Sequence, residues 1–147
     1  MTRTMSAVLV LSLLACVGSE AGDKGVKGDE KRILGTWALV SMEKGGKKAP
    51  DEETKDAQLT FGPDGKLTIQ HKGKAMEGTY KLMPDKKPRQ MDVTLKEGGK
   101  EELHKAIYLL EKDSLKICGA ETGEARPTEF ATKEGEKTLL LVLKRVK

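Results

Sequence analysis

The clearest strand-turn-strand pattern of the chain is Leu59-Thr60-Phe61-Gly62-Pro63-Asp64-Gly65-Lys66-Leu67-Thr68-Ile69. On both sides of its central Gly-Pro-Asp-Gly turn, apolar residues alternate with polar ones, which is the period expected of a strand with one buried face. Gly, Pro and Asp suit a tight turn, because they supply or tolerate its backbone angles. The stretch therefore predicts a β-hairpin.

The same alternation recurs along the rest of the chain. Together with the hairpin, it predicts about eight to nine short strands, and consecutive hairpins favour an all-β, up-and-down antiparallel barrel. A short helix is predicted near residues 50–57, because Pro50 and the acids after it suit a helix start. No helix long enough to connect parallel strands is predicted, which excludes a parallel α/β fold. The remaining predicted strands are 34–42, 67–71, 76–82, 91–95, 104–110, 114–118, 128–132 and 138–142.

The composition bounds the class of protein. The chain has 147 residues, of which 37% are hydrophobic and 34% charged, with a net charge of +4. This length predicts one domain. Two cysteines and two histidines are too few for a cysteine-rich zinc site or a disulfide framework. The aromatic residues do not interleave with the basic clusters, so no nucleic-acid groove is expected.

The first 21 residues have the pattern of a secretory signal. Arg3 supplies a positive charge, and residues 7–15 form an apolar run that is shorter than the roughly 20 residues needed to span a bilayer. Leu13-Leu14-Ala15-Cys16 resembles a bacterial lipobox, in which Cys16 would be acylated. Ordinary cleavage after Ala21 is the alternative.

The segment after the signal is Gly-rich and charged. Residues 22–32 have no apolar period and are predicted to be a flexible tether, and residues 33–147 are predicted to be the barrel domain. We therefore expect an exported protein of the cell envelope, either periplasmic or attached to the membrane by a lipid anchor, with a secreted protein as the alternative. A monomer is expected.

The residue types that carry catalysis are scarce. Cys118 has no Gly-rich elbow or acidic partner beside it, and His71 and His104 lie at strand ends, too few for a metal site. The acidic pairs Glu52-Glu53 and Glu101-Glu102 fall in turns or at a helix start, where solvation is the simpler interpretation. No phosphate loop, dinucleotide fingerprint or serine elbow occurs. We expect no enzyme, no catalytic residue, no metal and no cofactor.

Four motifs carry a resemblance to a known family. They are Gly35-Thr36-Trp37, Gly78-Thr79-Tyr80-Lys81-Leu82, Asp113-Ser114-Leu115-Lys116-Ile117-Cys118 and Arg126-Pro127-Thr128-Glu129-Phe130. Over roughly residues 33–145, the chain resembles the planctomycete-type lipocalin-like domain family of unknown function. Ala106 departs from the pattern, where that family often has Gly. The resemblance implies an exported, lipocalin-like β-barrel but no activity.

The resemblance also implies a structural lock. In lipocalins, a Gly-x-Trp motif opens the first strand, and a basic residue near the end of the last strand covers the indole. Gly35 and Trp37 match this motif, and Lys144 and Arg145 close the last strand. If the first and last strands pair, Arg145 is the expected partner of Trp37, in a contact worth about 0.5–2 kcal/mol.

The barrel interior is the remaining candidate site. One hypothesis is a non-enzymatic carrier that binds a small apolar or amphiphilic molecule; a continuous cavity of roughly 300 Å³ or more would favour it. The other is an envelope interaction protein with a filled barrel, whose basic loops Lys44–Lys48 and Lys86–Arg89 bind a protein or an anionic polymer. The candidate ligand-lining residues, which also form a plausible packed core, are Trp37, Phe61, Ile69, Tyr80, Val93, Tyr108, Ile117 and Phe130.

Overall fold

The structure is a computed structural model that describes residues 28–146. Residues 28–32 are helical (α1), and the second helix, α2, spans Asp51–Thr54, within the segment where a short helix is predicted. The strands are β1 (Gly35–Lys44), β2 (Lys47–Lys48), β3 (Gln58–Phe61), β4 (Lys66–His71), β5 (Lys74–Met83), β6 (Gln90–Glu97), β7 (Lys100–Leu110), β8 (Ser114–Ala120) and β9 (Thr138–Arg145).

The strands form a closed antiparallel barrel. Each strand from β3 to β9 pairs with the next one along the chain, and β1 pairs with both β3 and β9. The ring therefore has eight strands, and the two-residue β2 adds to the far end of β1. Closure leaves no unpaired edge in the ring. The predicted all-β, up-and-down barrel is confirmed.

The hairpin motif and the Gly-Thr-Tyr motif both place side chains inside the ring. Phe61 on β3 meets Tyr80 on β5 edge to face, with ring centroids 5.0 Å apart. Gly78 lies against β6 so closely that a Cβ there would be 2.2 Å from the carbonyl oxygen of Thr94. Only glycine fits this approach, which explains the small residue two positions before the aromatic ring.

The two ends of the barrel are built differently. At the closed end, where β1 begins and β9 ends, α1 covers the interior, and Trp37 donates a hydrogen bond from Nε1 to the carbonyl of Ile33 at 2.9 Å. Trp37 and Ile33 are both fully buried. At the open end, where β1 ends and β9 begins, the core is less completely filled, and the candidate site lies there.

The prediction of a flexible tether over residues 22–32 is wrong for residues 28–32. These residues are helical, and the Asp29 carboxylate is buried. It accepts hydrogen bonds from Arg89 at 2.6 Å and from Tyr108 at 2.8 Å. These partners lie far along the chain, so a local Gly-rich pattern could not reveal them. The rest of the tether, the signal segment 1–21 and Cys16 lie outside the described residues. Among residues 28–146, no helix is both long and apolar enough to cross a membrane.

The predicted strand over residues 128–132 is also wrong. These residues belong to the long connection 121–137 between β8 and β9, which packs on the outside of the barrel. Arg126 holds it there, because its guanidinium donates to the carbonyls of Met91 and Ala106 and to the Asp92 carboxylate, at 3.2, 2.7 and 2.6 Å. These side-chain contacts hold the connection against the barrel, so it does not have to pair as a strand to stay there.

Candidate functional site

An apolar cavity of about 210 Å³ lies inside the open half of the barrel. Four of the predicted lining residues form part of its wall: Phe61, Ile69, Val93 and Ile117. They come from β3, β4, β6 and β8, so strands from around the ring contribute. The cavity is smaller than the roughly 300 Å³ that is expected to favour a carrier, so it does not meet that condition for a drug-sized ligand.

The other four predicted residues do not line this cavity. Trp37, Tyr80 and Tyr108 fill the closed end, where Tyr80 donates to the carbonyl of Gly62 at 2.9 Å and Tyr108 donates to Asp29. Phe130 is half-buried in the outer connection between β8 and β9. A period of two identifies the inward face of a strand, but it does not fix how far along the barrel a residue lies.

The predicted lining residues were chosen from the strand faces that carry aromatic residues, and this choice missed most of the apolar wall. Except for Ala120, the missed residues lie two positions from predicted ones or alternate along β9, so the period-two pattern did contain their signal. Small residues at Ala106 and Gly119 leave space between β7 and β8, where a Cβ on Gly119 would lie 3.5 Å from that of Ala106. The additional apolar wall residues are Leu59, Leu67, Met91, Leu95, Ala106, Gly119, Ala120, Leu139 and Leu141.

A β-bulge in β1 brings Lys44 to the cavity. Trp37 and Leu39 face inward, so simple alternation would place Ser41 and Glu43 inside and Lys44 outside. The register instead shifts between Leu39 and Ser41, and Lys44 pairs with Leu139, which lines the cavity. Directly opposed residues of an antiparallel pair share a face. The alternation predicted over 34–42 therefore ends at the bulge, and the extra residue re-aims a cation into the mouth of the barrel.

The mouth of the cavity carries an ion pair. Lys44 Nζ lies 3.0 Å from Glu121 Oε1, and the two side chains are 65% and 44% exposed. The hydrogen bond and the charge of Lys44 hold the pKa of the Glu121 carboxyl below its usual value, with smaller contributions from Lys137 and His104. An exposed pair of this kind contributes little to stability.

His104 is the third polar side chain that lines the cavity. Its Nδ1 lies 3.1 Å from the carbonyl oxygen of Ala120. A carbonyl oxygen only accepts, so Nδ1 carries a proton. Nε2 then accepts a hydrogen bond when the ring is neutral and donates one when the ring is charged, and the nearest carboxylate, that of Glu102, is 3.8 Å away.

The residues expected to form the lock meet at the closed end. Trp37 and Arg145 are directly opposed across β1 and β9, and the guanidinium carbon lies 4.3 Å from the centroid of the indole. Arg145 also donates to the carbonyls of Leu34 and Arg32. Gly35 has a φ of +118°, and a Cβ there would be 3.4 Å from the guanidinium. All three residues lie away from the cavity, so they stabilise the end of the barrel.

The other reactive residue types are engaged elsewhere. Cys118 is buried on the outer face of β8, where its thiol donates to the carbonyl of Ala131 at 3.7 Å, and burial raises its pKa. His71 Nε2 lies 2.8 Å from the carbonyl oxygen of Glu53. Across residues 28–146, no group of three or more His, Cys, Asp or Glu residues is placed to hold a metal ion.

Comparisons with known proteins add little to this geometry. No family model matches the chain, and no curated protein matches it. Among solved structures, the chain is similar to a DUF4847 family protein from Bacteroides vulgatus, with 15% sequence identity and a TM-score of 0.49, over 82% of this chain and 98% of that one. At this identity and TM-score, the similarity carries no argument about function.

Proposed function

We propose that the protein is a non-enzymatic carrier that binds a small apolar or amphiphilic molecule in the open half of its barrel. The observation that carries this proposal is the cavity of about 210 Å³, whose wall is apolar and whose polar side chains are confined to Lys44, His104 and Glu121. Ligand sites have this composition, with many apolar contacts and a few polar groups that orient the ligand.

The size of the cavity limits the ligand. An apolar cavity of about 150 Å³ binds benzene and stays free of water. A volume of about 210 Å³ therefore suits a single ring or a short alkyl chain. Because the cavity opens at the mouth, a polar head group can remain in contact with water while the apolar part is buried. The expected ligand is thus smaller than the retinoid-sized or sterol-sized molecules that fill wider barrels.

A binding role also fits the state of the reactive groups. A nucleophile needs an adjacent base and access to substrate. The Cys118 thiol lies on the outer face of the barrel, and burial raises its pKa. The ring of His104 does reach the cavity. Its proposed role there is to form a hydrogen bond with the ligand and not to act as a catalytic base.

Surface binding by the basic loops is the weaker alternative. Arg89 of the Lys86–Arg89 loop forms an ion pair with the buried Asp29 at 2.6 Å, and Lys44 of the Lys44–Lys48 loop pairs with Glu121. Arg89 is therefore held by a buried carboxylate, and Lys44 lies at the mouth of the cavity. The interior is also incompletely filled in the open half, whereas the surface hypothesis expects a filled barrel.

The cellular setting belongs to the same proposal. The charged start and apolar run of residues 1–21 support export, and the lipobox-like segment before Cys16 supports a lipid anchor in the cell envelope. The four sequence motifs support membership of the lipocalin-like family that they resemble. A mass spectrum of the protein from its own envelope fraction tests the anchor: we expect a chain beginning at an acylated Cys16, and an unmodified chain beginning at Gly22 would contradict it.

Calorimetric titration with 1-octanol tests the cavity. We expect saturable binding at one site by the natural chain and at least about tenfold weaker binding by Val93→Phe, because the larger ring occupies the cavity. Leu103→Phe is the matched control, since it adds a ring to the neighbouring strand at a side chain that is 43% exposed. Equal binding by both variants would place the octanol elsewhere, and a lack of binding by the natural chain would refute the carrier.

A further inference from the structure

We propose that the ligand is an amphiphile with a carboxylate head, which Lys44 and His104 hold at the mouth while its short apolar tail lies in the cavity. This inference rests on the proposed carrier function. Of the three polar side chains that line the cavity, Lys44 donates protons to a head group, and His104 Nε2 does so when its ring is charged. Glu121 pairs with Lys44, and the Glu102 carboxylate lies 3.8 Å from His104 Nε2. A head group that takes the place of Glu121 against Lys44 must be anionic.

The ion pair at the mouth already contains a carboxylate in contact with Lys44. Glu121 Oε1 lies 3.0 Å from Lys44 Nζ, which is the geometry of a charge-assisted hydrogen bond. Glu121 is the first residue after β8, and its side chain is 44% exposed. Because an exposed pair is weak and water can solvate the released carboxylate, a ligand carboxylate can take this place at little cost.

His104 gives the second contact its chemical selectivity. Its Nδ1 is committed to the carbonyl of Ala120, which leaves Nε2, 3.8 Å from the Glu102 carboxylate, for the ligand. A carboxylate accepts a hydrogen bond from Nε2 when the ring is charged; when the ring is neutral, the carboxyl group must itself carry the proton that it donates to Nε2. An ammonium head could contact Glu121 or Glu102, but in the place of Glu121 it would face the like charge of Lys44. A carboxyl group is thus compatible with both charge states of His104.

The positions of the two donors fix how the ligand lies. Lys44 ends β1 at the rim, whereas His104 pairs with Val93, which lines the wall deeper on β6. A head group between Lys44 and His104 directs the tail toward the apolar wall, away from water. The long Lys44 stem can follow the ligand while its ammonium group stays solvated.

Calorimetry with octanoate, 1-octanol and octylamine tests the inference, because the three share one tail. We expect octanoate to bind about tenfold more tightly than 1-octanol, since a charge-assisted hydrogen bond adds affinity. Lys44→Met should remove most of this advantage and leave 1-octanol binding unchanged. Glu121→Gln should tighten octanoate binding by about two- to fivefold, because it removes the competing carboxylate. Lys47→Met, on the exposed β2, is the matched control.

Each other outcome would contradict one specific feature of the proposed site. If octanoate and 1-octanol bind equally in the natural chain, the mouth does not select carboxylates, although the carrier function stands. If octylamine binds most tightly and Glu121→Gln weakens it, the mouth selects cations. If Lys47→Met matches Lys44→Met, the effect is one of general surface charge. If none of the three compounds binds, both the inference and the carrier function are wrong.

Discussion

Tyr108 joins the barrel wall to the helix that covers its closed end. Its hydroxyl donates to the buried Asp29 carboxylate at 2.8 Å. Burial, followed by this hydrogen bond and the charge of Asp29, raises the pKa of Tyr108 well above its usual value. In the unfolded chain, the same hydroxyl titrates near its ordinary pKa of about 10. The folded protein therefore keeps a proton that the unfolded chain loses.

This difference predicts that stability falls in alkali. The contribution of Tyr108 is fully present below pH 10 or so, and it is lost at up to about 1.4 kcal/mol per pH unit as the pH rises further. Burial also raises the pKa of Cys118 and of Tyr80, so the loss has the same sign for all three groups. Urea unfolding between pH 8 and pH 11 should show the decline, and Tyr108→Phe should make it shallower. An unchanged slope in that variant would assign the loss to other groups.

Trp37 is expected to stabilise the closed end and to take no part in binding. Its indole is fully buried between α1 and Arg145 and does not line the cavity. Replacing a buried Trp with Ala costs about 3–5 kcal/mol. We therefore expect Trp37→Ala to lower the thermal midpoint severely in a calorimetric scan. A variant with a normal midpoint and altered octanol binding alone would contradict the structural role.

The long connection between β8 and β9 depends on Arg126 at one end and on Thr132 at the other. Arg126 contacts two carbonyls and a carboxylate with one planar group, which a Lys side chain cannot reproduce. Thr132 accepts from the Gly46 amide at 2.9 Å and donates to Glu43 at 3.0 Å. The connection is thus attached to β6, β7 and β1, although it is not itself a strand.

Arg126→Lys is therefore expected to release the connection while the ring stays folded. Cleavage after Glu124 and Glu129 by a glutamate-specific protease should become about tenfold faster, because local opening becomes more favourable by at least roughly 1.4 kcal/mol. Lys133→Met removes an exposed cation whose ion pair, at 3.5 Å, is with Glu129, so the rate of cleavage after Glu124 should be unchanged. Equal rates in all three proteins would show that Arg126 does not hold the connection.

The alternation of apolar residues predicted the elements correctly where neighbouring residues alone determine the structure. It placed the hairpin around Gly62-Pro63-Asp64-Gly65 correctly, because period and turn chemistry lie within a few residues. The pairing of β1 with β9 was expected only from the resemblance to lipocalins. The alternation failed where the structure of a segment depends on a partner far away in the sequence. The bulge before Ser41 has no local signal, and it alone explains why Lys44 reaches the cavity.

The candidate site was predictable to a similar extent. Four of the eight suggested lining residues do line the cavity, since the inward face follows from period two. The other four lie at the closed end or outside the ring. Three of them point inward but lie too near the closed end. The fourth, Phe130, lies in the outer segment that Arg126 attaches to β6 and β7. Neither feature follows from the pattern within one strand.

The two ends of the barrel separate the groups that stabilise it from the proposed binding site. The closed end combines the buried Trp37, the Arg145 contact and the Asp29 hydrogen bonds, and none of these residues lines the cavity. The open end has an exposed ion pair and unfilled apolar space, which contribute little to stability. A barrel that holds α1 in place and, as proposed, also admits a ligand can change at one end without loss at the other.

This division predicts opposite effects for two substitutions. Asp29→Ala leaves Arg89 and the Tyr108 hydroxyl without their partner, so we expect a loss of about 2–4 kcal/mol in urea unfolding with 1-octanol affinity retained. Val93→Phe should weaken 1-octanol binding while the unfolding midpoint shifts little, because its ring enters existing space. If Asp29→Ala also abolishes binding in the folded protein, the two ends are coupled, and α1 would then belong to the binding machinery as well as to the structural closure of the barrel.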